Sequence, residues 1–158
     1  MNVFIMRHGE AEAAAETDAQ RELTQEGRDD IAQMAVSYQD DLRHVESIWA
    51  SPYVRAQQTA HIISEHLSVP VITQDFLPPN ANPAEVLDML EAHRKHTLLI
   101  VSHQPLVGTL VDGLAALEPG QYRMGTGSLA YLSTEVYANG CCELQWLHQP
   151  ASTQPVCS

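Results

Sequence analysis

The sequence predicts an α/β fold: a three-layer α/β/α sandwich on a mostly parallel sheet with an antiparallel edge. Three observations predict it. Short β-rich bursts alternate with helix-period segments from the first residues onward, the order that gives a sheet with helices on both faces. Thr97–Val101 is a continuous apolar run, the signature of a central strand covered on both sides. Near the end, two strand-like segments flank Ala138-Asn139-Gly140, and Asn-Gly is a strong hairpin signal.

Each element has a local reason. Asn2–Met6 is the first β-rich burst. Thr24 stands as an N-cap ahead of Ile31, Met34, Ala35 and Tyr38 at helical spacing. Val45–Ala50 is the second strand. Ser51-Pro52 reads as the start of the second helix, with Ser51 as cap and Pro52 at the first helical position. Ala56, Thr59, Ala60, Ile63 and Leu67 form that helix's inner face. Val71–Thr73 is a short third strand, and Leu77–Pro83 is a Pro/Asn loop. Asn82-Pro83 opens a third helix with Glu85 at the capping-box position and Val86, Leu87 and Leu90 facing the core. After the strand at Thr97–Val101, Pro105–Ala115 is a fourth helix through Leu106, Leu110 and Leu114. Ser128–Ser133 and Cys141–Leu147 are the closing strands.

The chain has 158 residues, enough for one domain with a proper core. We expect a single domain over residues 1–148 and a loose Pro/Ser/Thr-rich tail over 149–158. Hydrophobic residues make up 44% and charged residues 18%, a globular balance. No apolar run approaches the roughly 18 residues of a membrane helix. The opening burst is too short for a secretory signal and ends at Arg7, so a cytoplasmic protein is expected. Net charge is −12 with 8 Lys+Arg, which excludes the basic face that a nucleic-acid binder needs. An acidic surface also repels free anionic molecules, which favours a substrate presented on a protein. Cys141, Cys142 and Cys157 fit neither a disulfide framework nor a zinc site and read as small hydrophobes plus a tail thiol.

Functional residues of such folds gather at the carboxyl ends of the strands. The first strand runs into Arg7-His8-Gly9-Glu10, the second into Ser51-Pro52-Tyr53-Val54-Arg55, and the fourth into Ser102-His103-Gln104-Pro105. Two imidazoles and two guanidiniums thus emerge on one edge of one sheet. That set suits phosphoryl transfer. Arginine binds phosphoryl oxygens in a bidentate fashion and is always charged. An imidazole with an ordinary pKa near 6.5 is mostly neutral at pH 7 and has a lone pair to attack phosphorus. Gly9 would let backbone approach a ligand, and a helix starting at Ser51-Pro52 would offer free N–H groups.

The chain resembles the histidine phosphatase superfamily, with its phosphoglycerate mutase-like fold, and within it the phosphohistidine phosphatases. The resemblance is carried by Val3–Ala11, Leu23-Thr24-Gln25-Glu26-Gly27, Ser51–Ala60 and Val101–Gly108, in the family's order and across most of the chain. It implies that His8 is the nucleophile, that Arg7, Arg55 and His103 bind the phosphoryl oxygens, and that His103 is protonated in the complex. It implies no metal or organic cofactor. It implies a partner that is a phosphohistidine-bearing protein, a phosphorelay phosphotransfer domain or a phosphocarrier, with inorganic phosphate as product. A monomer is the default, and neither nucleic acid nor membrane is expected as a partner.

The superfamily's mutases and monoesterases carry an acid after the third strand and helices that cover the site. Here that stretch is Gln74-Asp75-Phe76-Leu77-Pro78-Pro79-Asn80, and only Asp75 is acidic. An alkoxide leaving group needs a proton donor, worth typically 10²–10⁴-fold, whereas an imidazole leaving from a P–N bond needs less help. The competing reading is a small-molecule monoesterase with Asp75, Asp18 or Glu10 as donor. A non-catalytic phosphate-binding module is the remaining alternative. Asp18 and Arg21 either line the rim or form an ordinary loop ion pair. Glu10, Glu12 and Glu16 read as a solvated acidic loop. His93 and His96 share a helix face or its frayed end and read as surface histidines rather than metal ligands.

Overall fold

The computed structural model describes residues 2–94, 96–135 and 138–151. Its sheet contains β1 (Asn2–Arg7), β2 (Ser47–Ala50), β3 (Val71–Thr73), β4 (Leu98–Ser102), β5 (Leu129–Ser133) and β6 (Glu143–His148), in the spatial order β3-β2-β4-β1-β5-β6. The first four strands of that order are parallel. β5 runs antiparallel to β1, and β6 antiparallel to β5. The expected mixed sheet is therefore present, and the fold is α/β.

The helices are α1 (Gln25–Ser37), α2 (Gln39–Leu42), α3 (Val54–Leu67), α4 (Pro83–Ala92) and α5 (Leu106–Leu114). They divide between the two faces because the strands' side chains alternate. Val3, Ile5, Leu98 and Ile100 pack under α4 and α5, with Val86, Leu90, Val107 and Val111. Phe4, Met6, Leu99 and Val101 pack under α1 and α3, with Ile31, Ala35, Ala56 and Ile63. β4 is buried at every residue, as its apolar run requires. Thr24 caps α1 by accepting from the Gly27 N–H. Asn82 caps α4 through the Ala84 N–H, with Pro83 in the first turn.

Two expectations require correction. Ser51 does not cap α3, and Pro52 is not its first residue. The helix begins at Val54, and its N-cap, Tyr53, makes no side-chain capping bond. Ser51 instead continues β2, its N–H donating to the Val101 carbonyl, and its hydroxyl is used elsewhere. Nor is Asn139-Gly140 a tight hairpin turn. β5 ends at Ser133 and β6 begins at Glu143, so the connection is long. Gly140 has φ 76°, and its N–H donates to Gly113 at the end of α5, which draws the loop away from the strands.

The tail expected from residue 149 is described only to Ala151. There the Gln149 side chain donates to the Arg123 carbonyl, and Pro150 is buried. Cys142 is buried and Cys141 exposed, both as free thiols, whereas Cys157 lies outside the described residues. No helix among the described residues is long and apolar enough to cross a membrane.

Candidate active site

The parallel pairing of β1 with β4 sets the site. Arg7 is in register with Ser102, so His8 and His103 each stand one residue beyond a matched pair. The His8 N–H donates to the Ser102 carbonyl at 2.9 Å, which carries the ladder one step past β1. The two rings lie 5.1 Å apart, centroid to centroid. Arg55 enters from the first turn of α3, and its Nε is 3.3 Å from His8 Nε2. The four groups are thus brought together around one point.

The tautomer of His8 follows from its partners. Nδ1 lies 2.7 Å from the Gly9 carbonyl, which can only accept, so Nδ1 carries the hydrogen. Nε2 is left with its lone pair, which accepts from Arg55. Burial pushes His8 down to about 4, against the Gly9 carbonyl, which favours the charged ring. The cations of Arg55, Arg7 and Arg21 lower it further. His8 is 6% exposed and, at neutral pH, an uncharged base.

His103 is 1% exposed and is pushed down to about 3, chiefly by burial, then by His8 and Arg55. Its Nε2 is 2.7 Å from the Ser51 hydroxyl, which also accepts from the Tyr53 N–H at 3.3 Å. Its Nδ1 is buried without a hydrogen-bond partner. Among the described residues the other orphaned atoms beside the site are Arg7 Nε and, across the strand pair, Ser128 Oγ. Arg7 is fixed by donation from its NH1 to the Met124 carbonyl at 3.1 Å. Buried polar atoms without partners are rare, and two of them, His103 Nδ1 and Arg7 Nε, belong to the side chains that converge here.

Arg55 is 4% exposed, which excludes the surface role that its helix position alone would allow. Its NH1 donates to the Asp18 carbonyl oxygen at 2.6 Å and its NH2 to Asp18 Oδ2 at 3.1 Å. Asp18 sits in a single 3₁₀ turn, Asp18–Gln20, and its Oδ1 accepts from Arg21 NH1 at 3.0 Å. The bond from Arg21, followed by that from Arg55, holds the Asp18 carboxyl below the usual carboxylate range. Asp18 and Arg21 form the ion pair of one sequence reading, and Asp18 also bonds to Arg55.

The remaining sequence candidates fall outside this cluster. Glu10 is exposed, and its Oε1 accepts from the Thr24 hydroxyl. Asp75 is exposed in the turn after β3 and, among the described residues, makes no hydrogen bond or ion pair. His93 Nδ1 pairs with the Met89 carbonyl, while His96 meets Glu46 at 3.3 Å. Gly9, expected to clear room for a ligand, is closed in by α1: a Cβ there would lie 2.9 Å from Ile31 and 3.1 Å from the Gly27 carbonyl.

Three site residues were not legible as such. Ser51, which the local pattern predicts as a cap, is the partner of His103. Thr59, which helical spacing predicts as core, accepts through its hydroxyl from the Gly9 N–H at 3.1 Å and donates to the Arg55 carbonyl, tying the His8 loop to α3. Tyr53 places its ring 4.9 Å from His103 and 5.1 Å from the Arg55 guanidinium. The available signal was their position, within one helical turn of Arg55 in the segment that follows β2.

Residues 3–78 match the model of the histidine phosphatase superfamily (branch 1). The chain is 30% identical to the phosphohistidine phosphatase SixA of Escherichia coli (strain K12), with 96% of each chain covered. It is 35% identical to a phosphohistidine phosphatase SixA homolog of Haemophilus influenzae, over 72% of this chain and 77% of that one. A solved structure of the protein histidine phosphatase SixA complexed with tungstate superimposes with a TM-score of 0.86 at 30% identity, covering 98% of this chain and all of that one.

Proposed function

The chain belongs to the histidine phosphatase superfamily, and from that premise we propose that it hydrolyses phosphohistidine on another protein, with His8 Nε2 as the attacking atom. The observation that carries the proposal is the orientation of His8: Nδ1–H is held by the Gly9 carbonyl, and the Nε2 lone pair points toward the Arg55 guanidinium. A lone pair aimed at a cation is also aimed at whatever anion that cation binds.

In the first step the Nε2 lone pair forms a P–N bond and the substrate's P–N bond breaks. The substrate imidazole keeps that electron pair and, if its other nitrogen carries a proton, departs neutral. Arg7, Arg55 and His103, whose protonated form the arriving phosphoryl anion favours, hold the three equatorial oxygens, where the transition state's charge is spread. In the second step water attacks the phosphorus of phospho-His8 and loses a proton to solvent, the P–N bond breaks with its electron pair returning to Nε2, and inorganic phosphate leaves. Each imidazole departure proceeds without a dedicated proton donor.

The candidate acids support the phosphohistidine reading over the monoester reading. Asp18 is gripped by two arginines and is ionised at neutral pH, so it has no proton to give. Glu10 and Asp75 are exposed and are absent from the contacts of His8. The non-catalytic module is disfavoured because a binder has no need of a neutral, oriented His8.

The test compares a phosphohistidine protein with phosphoserine and sugar-phosphate monoesters. The expected ratio of kcat/KM is at least about 10²-fold in favour of phosphohistidine, the low end of what a missing acid costs. His8→Ala should abolish turnover of both and remove an acid-labile phosphoryl label from the enzyme. Faster monoester turnover refutes the substrate class, and activity surviving in His8→Ala refutes the covalent step.

A further inference from the structure

Among the described residues, four arginines are paired with carboxylates. Arg55 and Arg21 are held by Asp18, Arg28 pairs with Glu22, and Arg94 pairs with Glu91. Arg123 differs. It is exposed, and among the described residues its guanidinium makes no hydrogen bond or ion pair. Its backbone is nonetheless fixed: the Gln149 side chain donates to its carbonyl, and the next carbonyl, that of Met124, receives Arg7 NH1 and the Gln104 amide. It is close enough for its charge to act on Arg7. An exposed guanidinium without a partner among the described residues thus stands on a hydrogen-bonded backbone beside Arg7.

The mouth is polarised. On the Arg55 side stands the exposed Asp18, in a segment that also carries the exposed Glu10, Glu12 and Glu16. On the Arg7 side stands Arg123, one residue from the carbonyl that Arg7 grips. A carboxylate arriving beside the phosphoryl group is repelled by the first wall and received by the second. A net charge of −12 makes the surface as a whole repel it.

Resting on the phosphohistidine reading above, we propose that Arg123 is a specificity contact, which receives an Asp or Glu carboxylate next to the phosphohistidine on the substrate protein. The match is a planar guanidinium for a planar carboxylate. An exposed pair of this kind sets recognition and encounter rate, and contributes little to the chemistry at phosphorus.

The experiment uses two helical peptides with one central histidine, phosphorylated with phosphoramidate. One carries Glu at the third and fourth positions on either side, the other Gln. Free phosphohistidine is the third substrate. Wild type should prefer the Glu peptide in kcat/KM by about three- to fivefold at low salt, the range of an exposed charge pair, and the preference should fade as salt rises. Arg123→Gln should erase the preference and Arg123→Glu invert it, with kcat on free phosphohistidine unchanged. The inference is overturned if wild type shows no preference, if Arg123→Gln keeps it, or if Arg123→Gln slows free phosphohistidine equally. Failure of wild type on all three substrates would instead sink the phosphohistidine reading itself.

Discussion

The buried histidine pair makes the stability of the free protein depend on pH in a way that can be worked out. Each ring holds its proton more weakly in the folded chain than at the ordinary 6.5: His8 at about 4, His103 at about 3. The unfolded chain therefore takes up protons first as pH falls below 6.5. Stability is lost from that point downward, and the loss saturates once pH passes the folded values. Between pH 7 and pH 5 each ring alone accounts for about 2 kcal/mol, from 1.36 kcal/mol per tenfold difference in proton affinity. The assay is urea unfolding at both pH values, for wild type and for His103→Gln, which cannot titrate there. The variant's acid penalty should be smaller by about 2 kcal/mol. Equal penalties in the two proteins would refute the reasoning. Inorganic phosphate should shrink the wild-type penalty, because an anion beside the rings favours their charged forms.

Two further substitutions probe the supports of the site. Ser51→Ala leaves His103 Nε2 without its partner. It should cost about 1–3 kcal/mol in urea unfolding, the usual penalty for a stranded buried polar group, and lower kcat/KM on a phosphohistidine protein by about tenfold or more. Asp18→Asn keeps the main-chain bond to Arg55 NH1 but removes the charge shared by Arg55 and Arg21. Because Asp18 is 58% exposed, the thermal midpoint should barely move, whereas kcat should fall several-fold, read from steady-state rates with matched circular dichroism.

The sheet, its antiparallel edge and the four converging side chains were legible because each is written in a local pattern. The apolar run at Leu98–Val101 has nowhere to go but the middle of a sheet. Arg7, His8, Arg55 and His103 each follow a strand closely, and strand ends of one parallel sheet share an edge. What was not legible is pairing across distance. The same Ser-Pro pattern that caps helices elsewhere here extends β2, because Val101 of the neighbouring strand offers its carbonyl and His103 needs a hydroxyl. Asn139-Gly140 does form a turn between the two antiparallel strands, closed by the Cys141 N–H on the Ala138 carbonyl, but it lies in a longer connection in which Gly113 takes the Gly140 N–H. The tightness around Gly9 is likewise tertiary: its neighbours Ile31 and Gly27 belong to a helix that the local sequence does not mention. Gly27 is fixed reciprocally, since a Cβ there would lie 2.2 Å from the Glu10 carbonyl.

The amides of His8 and Ser51 are both bonded to β4, one to Ser102 and the other to Val101. The reacting ring and the hydroxyl that steadies its neighbour are therefore tied to the strand that is buried at every residue. Their amide hydrogens should exchange more slowly than those of the surrounding loops. The chemistry is thereby insulated from the drift of the loops around it. Within the rims at residues 10–22 and 118–127, Asp18 and the Met124 carbonyl hold Arg55 and Arg7, so change for a new partner is tolerated only at exposed positions that leave those two contacts in place.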